Sequence, residues 1–155
     1  MTMVRFADMQ DMESINALRR EVYDLHVQGR PDMFKPGFGE DVKNHVIPYL
    51  RSEGGYAALD ERDGRAAGMV MVDYIDRPES PYSPARKFVH VAEICVCASF
   101  RRQGVGKALM DIVKADAREK GYARIDLDVW AFNDALAFYE AQGFTVFRRF
   151  LEINL

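Results

Sequence analysis

A glycine loop between a strand-like run and a helix-like run constrains the fold of this chain more than any other feature. The apolar run VHVAEICVCA occupies residues 89–98, and FRRQGVGKAL follows over residues 100–109. From Val105 onward, apolar side chains recur at helical spacing, and Gly121 is expected to end that helix. A strand, a glycine loop and a helix in this order indicate an α/β unit rather than an all-α or all-β chain.

The remaining segments also predict a mixed order of strands and helices. A short strand precedes an amphipathic helix near the N-terminus, and two strands joined by a turn predict a hairpin. A loop with three prolines, residues 77–85, follows that hairpin. The predicted strands are 3–6, 55–59, 66–75, 88–97, 124–129 and one or two within 146–155; the predicted helices are 8–29, 40–50 with an interruption at Pro48, 105–121 and 133–142.

Composition excludes several classes of protein. The chain has 155 residues, of which 48% are hydrophobic and 29% charged, and its net charge is -3. These values are typical of one globular domain over residues 1–155, with no broad attraction to nucleic acid or to an anionic membrane. Neither a signal-peptide core nor a run of about 18 apolar residues occurs. We therefore expect a cytoplasmic protein without nucleic-acid or membrane partners, and a homodimer remains open.

The two cysteines predict no special chemistry. Cys95 and Cys97 lie two residues apart in one apolar run, where a disulfide between them has poor geometry and the spacing of metal ligands is absent. We expect both to be reduced, small, buried residues, and we expect no metal site.

The glycine loop itself suggests a phosphate ligand. Amides at the N-terminus of a helix have no partner within the helix, and they lie at the positive end of its dipole. Glycine lets the backbone approach the ligand closely, and neighbouring arginines add positive charge. The predicted pyrophosphate contacts are the backbone N–H groups of Gln103, Gly104, Val105, Gly106 and Lys107, with charge from Arg101 and Arg102.

Two common phosphate-binding motifs do not fit these glycines. A Walker loop requires a glycine at position 101 and a hydroxyl at position 108, where Arg101 and Ala108 stand. A dinucleotide fingerprint requires a third glycine where Leu109 stands. The pattern R-x-x-G-x-G remains, and it resembles the pyrophosphate loop of the GNAT family of acyl-CoA-dependent N-acyltransferases. A strand-to-helix turn without a ligand would carry the same glycines.

A second segment, about thirty residues further on, strengthens the resemblance. LDVWAFNDALAFYEAQGF, residues 127–144, has the strand, Asn-led turn, short helix with a tyrosine and Gly-Phe pair found in that family. The likeness covers residues 89–144 well. Asn133 precedes Tyr139 by six residues, where the family usually has seven.

The resemblance implies a fold and a co-substrate. The fold class is mixed α/β (α+β): a single domain with a mostly antiparallel sheet of about six to seven strands, a parallel splayed pair at the cofactor cleft, and about four flanking helices. The co-substrate is acetyl-CoA or a related acyl-CoA. Its pantetheine arm would add like a strand beside Ile94 and Val96, and Asn133 is a further candidate contact.

The resemblance also implies a function, N-acetyl transfer from acetyl-CoA to a primary amine of a small molecule or peptide by direct attack in a ternary complex. Tyr139 matches the general acid that protonates the leaving thiolate, and His90 or Glu93 would remove the proton from the amine. Strict strand alternation puts these two on opposite faces, so both can face one cavity only if the strand contains a bulge. Each of the three could instead have a structural role, His90 and Glu93 as paired residues of a strand and Tyr139 as an aromatic residue packed on the sheet. The alternative function is an acyl-CoA-binding sensor or pseudoenzyme without turnover.

Overall fold

The computed structural model describes residues 2–155, and a five-stranded sheet runs through its centre. The strands follow one another in chain order across the sheet. The first four pair antiparallel, whereas β5 lies parallel to β4. A mixed, mostly antiparallel sheet is therefore confirmed, but the predicted number of six to seven strands is wrong for the described part of the chain. The strands are β1 Thr2–Phe6, β2 Gly55–Arg62, β3 Arg65–Arg77, β4 Arg86–Val96 and β5 Ile125–Asp126.

Two long helices and three short ones flank the sheet in the described chain. The predicted helix 40–50 splits in two, and Pro48 lies in the first turn of the second piece, where a missing N–H leaves no helical bond unmade. The helix predicted to begin at Asn133 begins at Leu136. None of these helices is both long and apolar enough to cross a membrane. The helices are α1 Met12–Gly29, α2 Glu40–Asn44, α3 Ile47–Leu50, α4 Val105–Glu119 and α5 Leu136–Ala141.

The hairpin of β2 and β3 lies between two layers of the hydrophobic core, one on each face of the sheet. Its turn places Asp63 and Gly64 at positive φ, which suits the twist of a two-residue hairpin, and the predicted pairing of these strands is confirmed. Alternate residues along β3 then face opposite sides of the sheet. Val70 and Val72 pack in the cluster that contains α4 side chains, while Met69 and Met71 pack in the cluster that contains α1 side chains.

An extra residue interrupts the pairing of β3 with β4. Met71 pairs with Glu93 and Val72 pairs with Val91, so Ala92 has no partner and forms a β-bulge. On the other side of β4, the parallel pairing with β5 extends over only two residues, Val89 and His90. The strands therefore part beyond His90, and the predicted splayed pair is present.

The segment after α5 differs from the expectation. The alternating apolar residues of 146–155 predict strand, yet no strand occurs there in the described structure. The predicted strand 124–129 is likewise only two residues long. A strand requires a partner edge as well as a pattern, and no backbone hydrogen bond joins residues 145–155 to another segment of the described chain.

Candidate active site

A cavity of about 280 Å³ lies where β4 and β5 part. It brings together five of the residues singled out from the sequence. Val96 and residues 101–107 do not line it; the latter lie on the loop before α4 and in its first turn. A wider depression of about 650 Å³ lies elsewhere, against the outer side of α1 and beside Lys43. The five predicted residues that line the cavity are His90, Glu93, Ile94, Asn133 and Tyr139.

His90 forms a hydrogen-bonded pair with Asp126. The Nδ1 atom of the imidazole lies 2.7 Å from Oδ1 of the carboxylate, and both side chains are partly buried. The parallel register of β4 and β5 pairs these two residues directly. A carboxylate at Nδ1 favours the tautomer that carries its proton there, which leaves Nε2 able to accept a proton. Asp126 also pairs with Arg124 at 3.2 Å, so its charge is already compensated within the protein.

Glu93 faces the same cavity as His90 because of the bulge at Ala92. Its carboxylate accepts two hydrogen bonds from Arg19 of α1, at 2.7 Å and 3.3 Å. The Arg19 side chain is only 3% exposed, and it also donates to Oδ1 of Asn16 and to the carbonyl of Val42. The charge of Glu93 is therefore already compensated within the protein.

Tyr139 is a buried residue whose ring lies in an aromatic contact with Phe144. Burial raises the pKa of Tyr139 to about 12, and the nearby Cys95 adds to this effect. The hydroxyl therefore stays protonated at neutral pH, as a proton donor must. Burial also raises the pKa of the Cys95 thiol, so this cysteine is a poor nucleophile. Its predicted burial is confirmed, while Cys97 is half-buried and both are free thiols.

The first turn of α4 offers the backbone amides that the glycine loop predicts. The first helical hydrogen bond runs from the N–H of Ala108 to the carbonyl of Gly104, so the amides of residues 105–107 lie ahead of it. Gly104 has φ +80°, and a Cβ there would meet no atom within 4 Å. By contrast, a Cβ on Gly106 would lie 2.8 Å from the Phe138 ring. Gly104 thus leaves open the space in front of the amides of residues 105–107, which we call the cradle. Gly106 instead lets α4 and α5 pack closely.

A buried ion pair on β2 holds the glycine loop. Asp60 is fully buried and binds Arg62 at 3.0 Å, and the guanidinium of Arg62 also donates to the carbonyl of Gln103. The side chain of Gln103 donates in turn to the carbonyl of Ser99. Lys107 is paired with Asp111 at 2.7 Å, and Arg101 and Arg102 are exposed.

Aromatic side chains form the wall of the cavity that faces α1. Tyr23 and Phe38 are in edge contact, and Arg19 lies over the Phe38 ring. Trp130, which follows β5, also lines the cavity and contacts the Phe34 ring. His26 of α1 also belongs to this aromatic wall. Burial lowers the pKa of its imidazole, which is therefore neutral at pH 7.

Sequence reasoning missed the partners of the predicted residues. Arg19 follows Ile15 by four residues on the buried face of α1, so the amphipathic pattern could have shown that this arginine points inward. The role of Asp126 required the parallel register, which the sequence does not display. Asn133 uses its Oδ1 to accept the N–H of Ala135 at 3.0 Å, which forms a turn before α5 and delays the helix.

Comparison with known proteins agrees with this geometry. Residues 19–144 match the acetyltransferase (GNAT) family. The chain is 30% identical over 105 residues to human (Homo sapiens) N-acetyltransferase 8, a match that covers 67% of this chain and 44% of that protein. It is 29% identical over 105 residues to N-acetyltransferase family 8 member 2 of Rattus norvegicus, with the same coverage. The chain thus spans about half the length of the curated relatives that it matches.

Solved structures share the fold over the whole chain. A mutant of the BH1408 protein from Bacillus halodurans superposes with a TM-score of 0.94 at 24% identity, covering 99% of both chains. The aminoglycoside N-acetyltransferase AAC(6')-Iy in complex with CoA superposes with a TM-score of 0.78 at 20% identity, covering 100% of this chain and 95% of that one. From its sequence match and its fold, this chain belongs to the acetyltransferase (GNAT) family.

Proposed function

We propose that the protein transfers the acetyl group of acetyl-CoA to a primary amine of a small molecule or peptide, by direct attack in a ternary complex. The observation that carries this proposal is the cavity at the parting of β4 and β5. A histidine oriented by a carboxylate and a protonated tyrosine both line that cavity. Direct transfer needs one group that removes a proton and one that supplies a proton, and the two are present together.

His90 is the better candidate for the base. A primary amine with a pKa of about 10.4 is only about one part in a thousand neutral near pH 7.4, so its proton must be removed before it attacks a thioester. The pair with Asp126 leaves Nε2 of His90 as the proton acceptor. Glu93 instead accepts two hydrogen bonds from Arg19, which makes it a positioning group in this proposal.

The described residues fit acetyl-CoA. The open space at Gly104 and the free amides of residues 105–107 suit the negative charge of a pyrophosphate. Beyond His90 the edge of β4 that faces β5 is unpaired in the described chain, so Ile94 and Val96 can offer backbone groups to the pantetheine amides. When bound, acetyl-CoA supplies the acetyl group as a thioester. Tyr139 then donates its proton to the departing sulfur.

We further propose that the acceptor is an amine attached to an apolar, preferably aromatic, body. Tyr23, Phe38 and Trp130 supply flat apolar surface to the cavity, and aromatic faces attract an ammonium group as well. Arg19 already compensates the charge of Glu93. The acidic residues of the cavity therefore favour an acceptor with several ammonium groups less than their number suggests. The aminoglycoside N-acetyltransferase among the structural neighbours makes aminoglycosides the natural comparison.

A thiol-release assay with acetyl-CoA tests the proposal. The amine panel contains phenethylamine, spermidine, kanamycin and a short peptide with a free N-terminus. We expect acceptor-dependent release of CoA, with the highest kcat/KM for phenethylamine. Binding of acetyl-CoA by calorimetry without release for any amine would instead support the sensor without turnover. A preference for kanamycin or spermidine would leave the acetyl transfer in place and overturn the aromatic acceptor.

A further inference from the structure

We propose that Arg62 of β2 is a positioning residue for acetyl-CoA. Its guanidinium fixes the peptide between Gln103 and Gly104, so that backbone N–H groups of the glycine loop stay free for the pyrophosphate. The inference rests on the proposed function for the identity of the ligand. It adds a residue of the sheet, outside the cradle, to those on which the affinity for acetyl-CoA depends.

The alternation of β2 directs Asp60 and Arg62 to the face of the sheet that α4 covers. Ala58 of this strand packs in the cluster that contains α4 side chains, and Asp60 and Arg62 follow it at two-residue steps. Asp60 is fully buried, and Arg62 binds it at 3.0 Å with only 16% of its own side chain exposed. A buried carboxylate requires such a partner, so Arg62 is held in place before any ligand binds.

From this position Arg62 also reaches the glycine loop. Its Nη1 atom donates to the carbonyl of Gln103. Among the described residues, no backbone N–H donates to that carbonyl. In a helix extended by one residue, the Gln103 carbonyl would accept the N–H of Lys107, four residues further on. Arg62 thus occupies the acceptor that would otherwise pair with one of the amides of the cradle.

The same contact sets the direction of the next amide. A trans peptide is planar, and its C=O and N–H point in opposite directions. Because the Gln103 carbonyl points to Arg62 on the sheet, the N–H of Gly104 points away from the sheet. Gly104 is exposed, and its N–H makes no hydrogen bond within the described chain. This peptide is therefore held with its donor on the side from which an anion can approach.

The conformation of the loop requires contacts of this kind. Arg102 has φ +61° and Gly104 has φ +80°, one on each side of Gln103. A left-handed conformation is ordinary for glycine but uncommon for arginine, so other contacts must offset its cost. The start of α4 is fixed as well, since a Cβ on Gly68 of β3 would lie 2.5 Å from the Val105 side chain. The sheet therefore holds the loop at two points, through Arg62 and through β3.

Calorimetry with CoA tests the proposal without any need for turnover. Arg62→Met should raise the Kd for CoA about 10-fold, because the Gln103 carbonyl loses its donor and can turn toward the N–H of Lys107. Arg62→Lys keeps a charge beside Asp60, so the test does not depend on whether Arg62→Met folds. It should keep the free energy of unfolding but recover only part of the affinity, since a single nitrogen does not replace a planar fork that binds two partners.

Arg5→Met is the matched control. Arg5 lies on the neighbouring strand β1 and binds the carboxylates of Asp11 and Glu61. In the described structure none of its hydrogen bonds goes to residues 101–107. We therefore expect Arg5→Met to lower the free energy of unfolding and to leave the Kd for CoA unchanged.

A second acetyl donor separates positioning from a general loss of structure. S-acetylpantetheine has the same thioester as acetyl-CoA but lacks the pyrophosphate. With the best acceptor, Arg62→Met should lower kcat/KM for acetyl-CoA about 10-fold through KM, and should leave kcat/KM for S-acetylpantetheine unchanged. Equal losses with the two donors would show that Arg62 supports the fold alone, which overturns the proposal.

The outcomes also separate this inference from the proposed function. An unchanged Kd for CoA in both Arg62 variants would overturn the positioning role and leave acetyl transfer in place. An affinity for CoA that depends on Arg62, in a protein that acetylates no amine, would support the positioning role and overturn the proposed function.

Discussion

The imidazole of His90 lies 2.7 Å from the carboxylate of Asp126 because β4 and β5 run parallel with these two residues in register. Their partnership is thus a property of the sheet and not of a flexible loop. Beyond this pair the strands part, so the last point of pairing is also the rim of the cavity. A base at this position is held rigidly beside the space where the acetyl group would lie.

His90→Gln is expected to lower kcat by about 100-fold or more, since a general base typically contributes that much. Asp126→Asn should lower kcat by a similar factor, because asparagine can present its amide N–H to Nδ1 and so favour the wrong tautomer. Steady-state kinetics on the best acceptor measures both. Asp76→Asn, which removes a surface pair with Lys87, should leave kcat unchanged. A full rate in His90→Gln would move the role of base to Glu93.

Tyr139→Phe is expected to lower kcat by about 100-fold while the affinity for acetyl-CoA and the melting temperature stay nearly the same, because the ring still packs. Since the pKa of Tyr139 is raised to about 12, the hydroxyl should not limit the rate of the wild-type enzyme at any pH below about 10. A normal rate per folded molecule together with lost stability would mark the hydroxyl as structural.

Gly104→Val is expected to abolish binding of acetyl-CoA in calorimetry, because the side chain fills the open cradle before the amides of α4. Backbone strain accompanies this change, since valine rarely adopts φ +80°. Gly64→Val controls for the strain, because Gly64 also has positive φ and open space around its Cβ, but lies in the β2–β3 turn. Equal loss of affinity in both variants would contradict a cofactor role for Gly104.

Arg19→Met is expected to lower the free energy of unfolding by about 1–3 kcal/mol, because it leaves Glu93 and the carbonyl of Val42 without their donor. Urea denaturation measures this difference. Arg20→Met, on the exposed side of the same helix, should change stability by no more than about 0.5 kcal/mol. An equal effect of the two substitutions would show that the ion pair beneath the cavity adds no stability.

The ion pair of Asp11 with Arg5 predicts a loss of stability in acid. Arg5 lowers the pKa of Asp11 below its ordinary value of 3.8, so the pair stabilises the fold fully above that pH and its contribution disappears as the pH falls below it. Asp11→Asn should therefore lower the melting temperature at pH 6, and the difference from the wild type should shrink as the pH falls below 3.8. Glu13→Gln, which removes the carboxylate of an exposed neighbour that does not bind Arg5, is the matched control. A constant difference at all pH values would contradict the linkage.

The central elements could be predicted from the sequence because their patterns are local. The period of apolar residues identified α1, α4 and the strands of the hairpin, and the glycines marked where the turns fall. The motifs then implied the family before any geometry was known. The bulge was also expected, as the condition under which His90 and Glu93 face one cavity, because these residues lie an odd number of positions apart.

The remaining features depend on contacts between distant segments. Arg19 and Glu93 are 74 residues apart, and neither pattern nor propensity links them. Residues 146–155 show the converse: they have the alternation of a strand, but no strand of the described sheet pairs with them. The local pattern of apolar residues thus predicts that a segment can form a strand. Only the fold shows whether another strand lies where the segment can pair with it.

The bulge at Ala92 affects two properties of β4, namely the face on which His90 and Glu93 lie and the local bend of the strand. A deletion can change one of these without the other, whereas a point substitution leaves the number of residues unchanged. Removing that one residue would leave His90 and Glu93 two positions apart in an uninterrupted strand, still on the same face as Met71, and would remove only the local bend. The bend of β4 and the shared orientation of His90 and Glu93 are therefore separate properties of this strand. A chain shortened by a single alanine would keep both side chains on one face of a straighter strand.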